Sequence, residues 1–175
     1  MNDYLFVDIE TTGLDENNSQ ILEIYACLVD DNFSPVNEFH RIFYHTDKIV
    51  DKIVDKMHTD NGLLAECLLS HIDNITIGGD FKIFIDTFFT SRKIILAGCS
   101  VHFDLRFLIA NYPWLEEYLH HRVLDIRSIL FVDPNHGKQI ILPYRTDEHR
   151  AKVDCLNAVY TAKYYQNKLG AVGAT

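Results

Sequence analysis

Tyr4-Leu5-Phe6-Val7-Asp8-Ile9-Glu10-Thr11-Thr12-Gly13-Leu14 is the stretch on which the fold turns. Tyr4 to Val7 is a short apolar run of strand-forming residues and reads as a buried strand. Asp8 ends that run, and Glu10 follows two residues later. A two-residue step along a strand returns to the same face. Two carboxylates therefore stand side by side at the edge of a core, where repulsion and lost hydration both cost free energy. Divalent cations remove that conflict, because hard cations take oxygen ligands. Gly13 sits in the turn after the strand and permits a tight bend, so backbone N–H groups can approach a substrate closely. A bare Asp-x-Glu also suits a strand end carrying two solvated acids, and the pair alone leaves both readings open.

Working outward, residues 20–29 read as a second strand with Leu22, Ile24, Ala26 and Leu28 alternating. Residues 36–44 read as a third, joined to the second by a hairpin-type connection at Asp30-Asp31-Asn32. Residues 47–57 contain a four-residue repeat, Asp-Lys-Ile-Val. The repeat sets Ile49, Val50, Ile53, Val54 and Met57 on one helical stripe, expected to pack on the sheet. Residues 61–72 and 80–90 read as two more helices, and 94–97 as a strand ended by Gly98. Residues 104–112 read as a helix stopped near Pro113, 122–126 as a strand, 136–144 as a loop, and 147–168 as a long closing helix. This order predicts a mixed α/β sandwich. A chain of 175 residues fits one domain, read as 1–170 with a frayed tail at 171–175.

The totals narrow the function. The net charge is -9. A protein that grips long duplex DNA presents a basic face, so this chain either avoids nucleic acid or binds a short piece through a local site. Cys27, Cys67, Cys99 and Cys155 are scattered with no C-x-x-C pair, which argues against a zinc site and against a disulfide framework. Reduced thiols in a cytoplasmic protein are expected. The N-terminus lacks a basic stretch followed by an apolar one, and no apolar run approaches the roughly 18 residues of a spanning helix, so no membrane partner is expected.

Two more segments carry chemistry. In Ala97-Gly98-Cys99-Ser100-Val101-His102-Phe103-Asp104-Leu105-Arg106-Phe107-Leu108, Asp104 heads a helix. An acid there is favourable with the helix dipole even without a function. In His149-Arg150-Ala151-Lys152-Val153-Asp154, Asp154 heads a stripe with Asn157, Ala158, Thr161, Ala162 and Tyr165. His149 stands five positions earlier, roughly 140° around a regular helix. The two cannot share a helical face, so His149 is expected ahead of the helix, leaning over the site.

Asp8-Ile9-Glu10-Thr11-Thr12-Gly13-Leu14 resembles the first motif of the DEDDh branch of 3′→5′ exonucleases. Phe103-Asp104-x-x-Phe107-Leu108 resembles the second, and His149-x4-Asp154 the third. Together they span nearly the whole chain. The resemblance implies an RNase H-like fold: a mixed five-stranded sheet flanked by helices. It implies that Asp8, Glu10, Asp104 and Asp154 hold two divalent cations, Mg²⁺ or Mn²⁺, about 4 Å apart. It implies that His149, with an unperturbed pKa near 6.5, takes the proton of the attacking water and that a 5′-mononucleotide is released.

Within that branch, the segment from Tyr112-Pro113-Trp114 to Leu124-Asp125-Ile126 resembles the oligoribonucleases, as does Tyr164-Tyr165. That family degrades RNA a few nucleotides long and works as a homodimer. The resemblance therefore implies short single-stranded RNA as the partner, with single-stranded DNA or longer RNA as the alternative. The acidic net charge suits a short strand, which needs few phosphate contacts. Substrate contacts are implied at Thr11, Thr12, Gly13, Leu14 and Ser100, with Leu14 matching the family's wedge leucine. Met57 stands near the family's wedge tryptophan, Phe103 in place of its glutamine, and His121 in place of a tyrosine that contributes to the partner subunit's site. His120 and His121, adjacent in sequence, are expected to point in different directions and not to share a metal. Asp125, an extra carboxylate at a strand end, is expected to play a supporting role.

Overall fold

The computed structural model describes residues 4–89, 93–133, 140–144 and 148–172. Five strands, β1 Tyr4–Thr11, β2 Ile21–Val29, β3 Pro35–Ile42, β4 Ile94–Gly98 and β5 Leu119–Asp125, form one sheet in the order β3-β2-β1-β4-β5. β2 is antiparallel to both β1 and β3, whereas β4 is parallel to both β1 and β5. The described helices are α1 Lys52–Asp60, α2 Leu63–Ser70, α3 Asn74–Phe88, α4 His102–Asn111, α5 Ile126–Val132 and α6 Ala151–Val172, with a 3-10 turn at Pro113–Glu117. The mixed five-stranded sheet flanked by helices is thus the observed architecture.

The strand period explains where the acids go. Leu5, Val7 and Ile9 join Ile24, Ala26 and Leu96 in a core roofed by Ile77, Phe81 and Ile85 of α3 and by Phe107 and Leu108 of α4. Phe6 faces the other way, with Tyr25, Cys27 and Ala97, against Ala151, Cys155, Ala158 and Ala162 of α6. Leu5, Phe6 and Val7 are all 0% exposed. Each such burial stabilises by about 1.5–3 kcal/mol, so β1 is held rigidly from both sides. Continuing the alternation from Phe6 directs Asp8 and Glu10 to the α6 face. β1 and β4 pair only from Tyr4↔Ile95 to Phe6↔Ala97. Beyond that point the β4-side edge of β1 is open, and α4 enters there. The approach is close: a Cβ on Gly98 would meet the Val7 carbonyl oxygen at 2.6 Å.

Several elements differ from the sequence reading. The helix expected over 47–57 begins at Lys52, because the Asp51 side chain accepts the N–H groups of Ile53 and Val54 and caps it there. The Asp-Lys-Ile-Val repeat offers that cap twice, and the later copy is used. The expected core stripe is only partly kept as a result: Val50 is 92% and Ile53 81% exposed, while Ile49 is buried ahead of the helix and Val54 packs against the same cluster as Leu22 of β2. α3 begins at Asn74 instead of residue 80, capped by Asp73. It runs through Gly78, where a Cβ would strike the Tyr112 ring at 2.7 Å. β5 begins earlier than expected, at Leu119, and α5 follows it directly where no helix was expected. α6 starts at Ala151 and extends to Val172. Residues 90, 134–139, 145–147 and 173–175 lie outside the described residues, and with them the end of the third expected helix, much of the expected loop at 136–144, the expected start of the closing helix, and the end of the expected tail. Among the described residues no helix is long and apolar enough to cross a membrane.

Candidate active site

Asp8 and Glu10 project from the end of β1, and Asp154 from the first turn of α6. One carboxylate oxygen from each lies within 4.8 Å of the others. Asp104, in the first turn of α4, is 3% exposed, and its Oδ1 accepts the Ile9 N–H at 3.0 Å. That bond uses the edge of β1 left open by β4, and it anchors Asp104 close enough for its charge to act on Asp8. His149 lies just ahead of α6 and lines a cleft of about 380 Å³ together with Asp8, Cys99, Arg127, Asp154 and Asn157. The structure therefore gathers Asp8, Glu10, Asp104, Asp154 and His149 from three separate segments of the chain.

All four carboxylates are held above their ordinary range. Burial raises Asp8 well above it, and the neighbouring charges of Asp104, Glu10 and Asp154 raise it further. Burial, then Asp154 and Glu23, pushes Glu10 up to about 9, against the pull of Arg150. Burial pushes Asp104 up to about 8 although the Ile9 N–H favours its charged form. Asp154 is raised by burial, with His149 opposing. The chain supplies too little positive charge to ionise Glu10 and Asp104 at neutral pH. A pocket of crowded, hard oxygen donors short of positive charge fits a divalent cation of the Mg²⁺ or Mn²⁺ kind.

Glu23, absent from the sequence reading, lies directly opposite Glu10 in the β1–β2 register. Like charges facing each other across a ladder destabilise it. Glu23 escapes this with partners of its own: Arg150 binds it through Nε and Nη2, the Ala151 N–H donates at 3.0 Å, and His40 Nε2 lies at 2.7 Å. Burial pushes Glu23 up, but these hydrogen bonds outweigh it and bring it to about 2. His58 was also missed. It is 0% exposed, its Nε2 lies 3.0 Å from the Thr11 carbonyl oxygen and 3.8 Å from Glu10 Oε2, and burial lowers its pKa. Both had a signal. A lone acid inside Ile21-Leu22-Glu23-Ile24 flags a buried charge needing a partner, and Arg150 beside His149 is such a partner.

The remaining expected positions are spread more widely. Thr11 Oγ1 donates to the Gly13 carbonyl at 2.6 Å, and Thr12 Oγ1 accepts the Gln20 N–H at 2.9 Å, which closes the turn. Gly13 is needed there, since a Cβ would meet Ser19 Oγ at 2.7 Å. Thr12, Gly13 and Leu14 line a second groove of about 630 Å³, and Leu14 is 74% exposed. Ser100 has φ 61 and donates its N–H to Asp125 Oδ1 at 3.1 Å. Asp125 Oδ1 also accepts the Arg127 N–H at 2.8 Å, so it caps α5. Met57, Phe103 and His121 line neither cleft. Phe103 packs on the core beside Phe107, ring centroids 4.8 Å apart, and His121 is exposed on the edge strand β5. The His120 and His121 rings do not diverge as expected but lie 4.1 Å apart, with His120 Nδ1 turned back to accept the Arg122 N–H.

A family model described as Exonuclease matches residues 5–162. The chain is 27% identical over 168 residues to a probable oligoribonuclease of Schizosaccharomyces pombe, spanning 93% of this chain and 67% of that one. It is 28% identical over 169 residues to the oligoribonuclease of Francisella tularensis subsp. holarctica strain LVS, spanning 94% of each. Its fold matches E. coli exonuclease I in complex with a dT13 oligonucleotide at a TM-score of 0.69 and 16% identity, covering 99% of this chain and 43% of that chain. At that identity the likeness concerns the fold alone, and this chain spans less than half of that protein. With the family model covering all but the ends of the chain, and the gathered acids and histidine inside it, the chain belongs to the exonuclease family, whose members hydrolyse phosphodiester bonds.

Proposed function

We propose that the chain removes 5′-mononucleotides from the 3′ ends of short single-stranded oligoribonucleotides, with residues 1–170 acting as one domain. The observation that carries the chemistry is the convergence of Asp8, Glu10 and Asp154 oxygens within 4.8 Å of one another. The substrate class is supported by the oligoribonuclease relatives, one of which aligns over 94% of this chain. A net charge of -9 agrees with it, because a strand of two or three nucleotides asks for few phosphate contacts.

Asp8, Glu10, Asp104 and Asp154 would hold two divalent cations, Mg²⁺ or Mn²⁺, which when bound offset the crowded carboxylates and the charge developing on the phosphate. His149 accepts the proton of the attacking water on a ring nitrogen. The water oxygen bonds to phosphorus as the bond to the 3′ oxygen of the preceding nucleotide breaks. That oxygen takes a proton from solvent and becomes the 3′ hydroxyl of the shortened strand. The Thr11–Leu14 turn would form a wall for the terminal nucleotide, with the exposed Leu14 side chain offered to its base and Ser100 as a further contact. His121, exposed on the edge strand β5, would meet a second copy in a homodimer.

A time course on 5′-labelled RNA of two, five and about twenty nucleotides, beside DNA of the same lengths and with Mn²⁺ supplied, tests the reading. Fastest loss of the shortest RNA is expected. Strong activity confined to the longest DNA would replace it with a DNA exonuclease.

A further inference from the structure

We infer that Asn61 is a positioning residue for His149, with Arg150 locking the same loop from the other side. The inference rests on His149 serving as the general base. His149 has φ 46. A non-glycine residue held there is strained and stays only when its surroundings fix it. Two anchors do so.

The first is Asn61, at the C-terminal end of α1. Its Nδ2 donates to the carbonyl oxygens of Glu148 at 3.1 Å and His149 at 2.7 Å, while its Oδ1 accepts the Leu63 N–H at 3.0 Å. The acceptor bond fixes which way the amide faces, so the donor points at the loop. Closing α1 does not need that donor, since the Asn61 backbone N–H already serves the Met57 carbonyl at 3.1 Å. The second anchor is Arg150, the next residue after His149. Its guanidinium forks onto the buried Glu23 and onto Glu66 of α2 with four hydrogen bonds of 2.8–3.1 Å. The loop is therefore held on both sides of the strained residue.

The same end of α1 reaches the carboxylates. His58, three residues before Asn61, contacts the Thr11 carbonyl at the end of β1. One helical turn thus ties the His149 loop to the strand bearing Asp8 and Glu10, which sets the distance between base and acids. Displacing a reacting group by about 1 Å can cost on the order of a hundredfold in rate.

The test compares Asn61→Ala and Asn61→Asp with the unaltered protein on an RNA dinucleotide. Asn61→Asp keeps the acceptor for Leu63 and turns the donor into an acceptor facing two carbonyls. Both variants should lose kcat by roughly tenfold to a hundredfold with KM changed less than about threefold. Amide exchange at Arg150 and Ala151 should quicken, and far-ultraviolet circular dichroism should match the parent. In a His149→Ala background, Asn61→Ala should cost nothing further. Wild-type kcat in Asn61→Ala, or an equal loss with and without His149, overturns the inference. A dispensable Asn61 beside an essential His149 removes the inference alone, whereas a dispensable His149 removes the base reading with it.

Discussion

Asp154→Asn takes one charge out of the acid cluster while keeping the side chain's shape, and it should make the cation-free protein more stable as it ends turnover. Oxygens of Asp8, Glu10 and Asp154 lie within 4.8 Å of one another. At that separation two unit charges repel by roughly 3.5 kcal/mol at an effective dielectric constant of about 20. The full amount is not felt at neutral pH. Glu10, pushed up to about 9, still carries its proton there, and His149 and Arg127 partly answer the Asp154 charge. The gain is therefore small near pH 7 and grows to about 1–2 kcal/mol toward pH 9, where Glu10 and Asp104 ionise. In a domain of this size 1 kcal/mol moves Tm by roughly 2–4 °C, so Tm in chelator should rise by about 2–8 °C near pH 9. The rise should shrink toward pH 7, where Glu10 keeps its proton. Differential scanning calorimetry at three pH values in chelator, then with Mn²⁺, reads the effect. Mn²⁺ should raise the Tm of the parent and raise that of the variant much less. A variant less stable than the parent at every pH, or one stabilised by Mn²⁺ as fully as the parent, would refute the account of the cluster as a charge-starved cation site.

His149→Ala should slow hydrolysis by roughly a hundredfold or more while leaving the Mn²⁺-induced rise in Tm intact, which separates proton transfer from cation binding. Gly98→Ala should cost about 1–3 kcal/mol in chemical denaturation, because its Cβ would sit 2.6 Å from the Val7 carbonyl oxygen and force β1 away from β4 beside Asp8. The pH dependence has a definite sign. Without cations, Glu10 and Asp104 keep their protons up to about 9 and about 8 in the folded chain, against ordinary values of 4.5 and 3.8. Within that window the folded state binds more protons than the unfolded one, so stability in chelator should fall as pH rises, by at most about 1.4 kcal/mol per pH unit for each retained proton. Urea titrations across the window check this, and a stability that climbs with pH in chelator would contradict it. Saturating Mn²⁺ should flatten the slope, because bound cations keep the acids ionised.

The strand bearing Asp8 and Glu10 was readable because two independent regularities coincide there. The apolar run requires a buried strand, and the period of two fixes both acids on one face. Asp104 and Asp154 were readable as helix-leading acids, but nothing local said that the two helices end at the same place. That follows from topology: α4 enters where the β1–β4 ladder stops at Phe6↔Ala97, and α6 lies on the Phe6 face. The 47–57 helix was misread because its apolar spacing is genuine while its starting point is decided by a cap. Asp47 and Asp51 are equivalent in the repeat, and only the second is used. The glycines inside α3 hid its first turns, and Gly78 is there to admit the Tyr112 ring, a partner more than thirty residues away. Glu23 and Asn61 escaped notice for a related reason. Each does its work through hydrogen bonds to a segment over eighty residues distant, and periodicity carries no information about such partners.

Glu10 and Glu23 show how the fold distributes its limited positive charge. The two face each other across β1 and β2, and equivalent surroundings would leave both starved of counter-charge. Instead the nearest guanidinium, Arg150, commits its hydrogen bonds to Glu23 and Glu66, and Glu23 falls to about 2 while Glu10 rises to about 9. The pairing of Glu23 is what lets Arg150 anchor the loop carrying His149. The same pairing keeps Arg150 from satisfying Glu10. Had the arginine turned to Glu10, the cluster would have gained an internal counter-ion, and a cation would have had to displace it. As arranged, one ion pair fastens the histidine loop and leaves the neighbouring acid in want of positive charge from outside the chain. That division requires both glutamates and the arginine together, so none of the three can be understood from its own stretch of sequence.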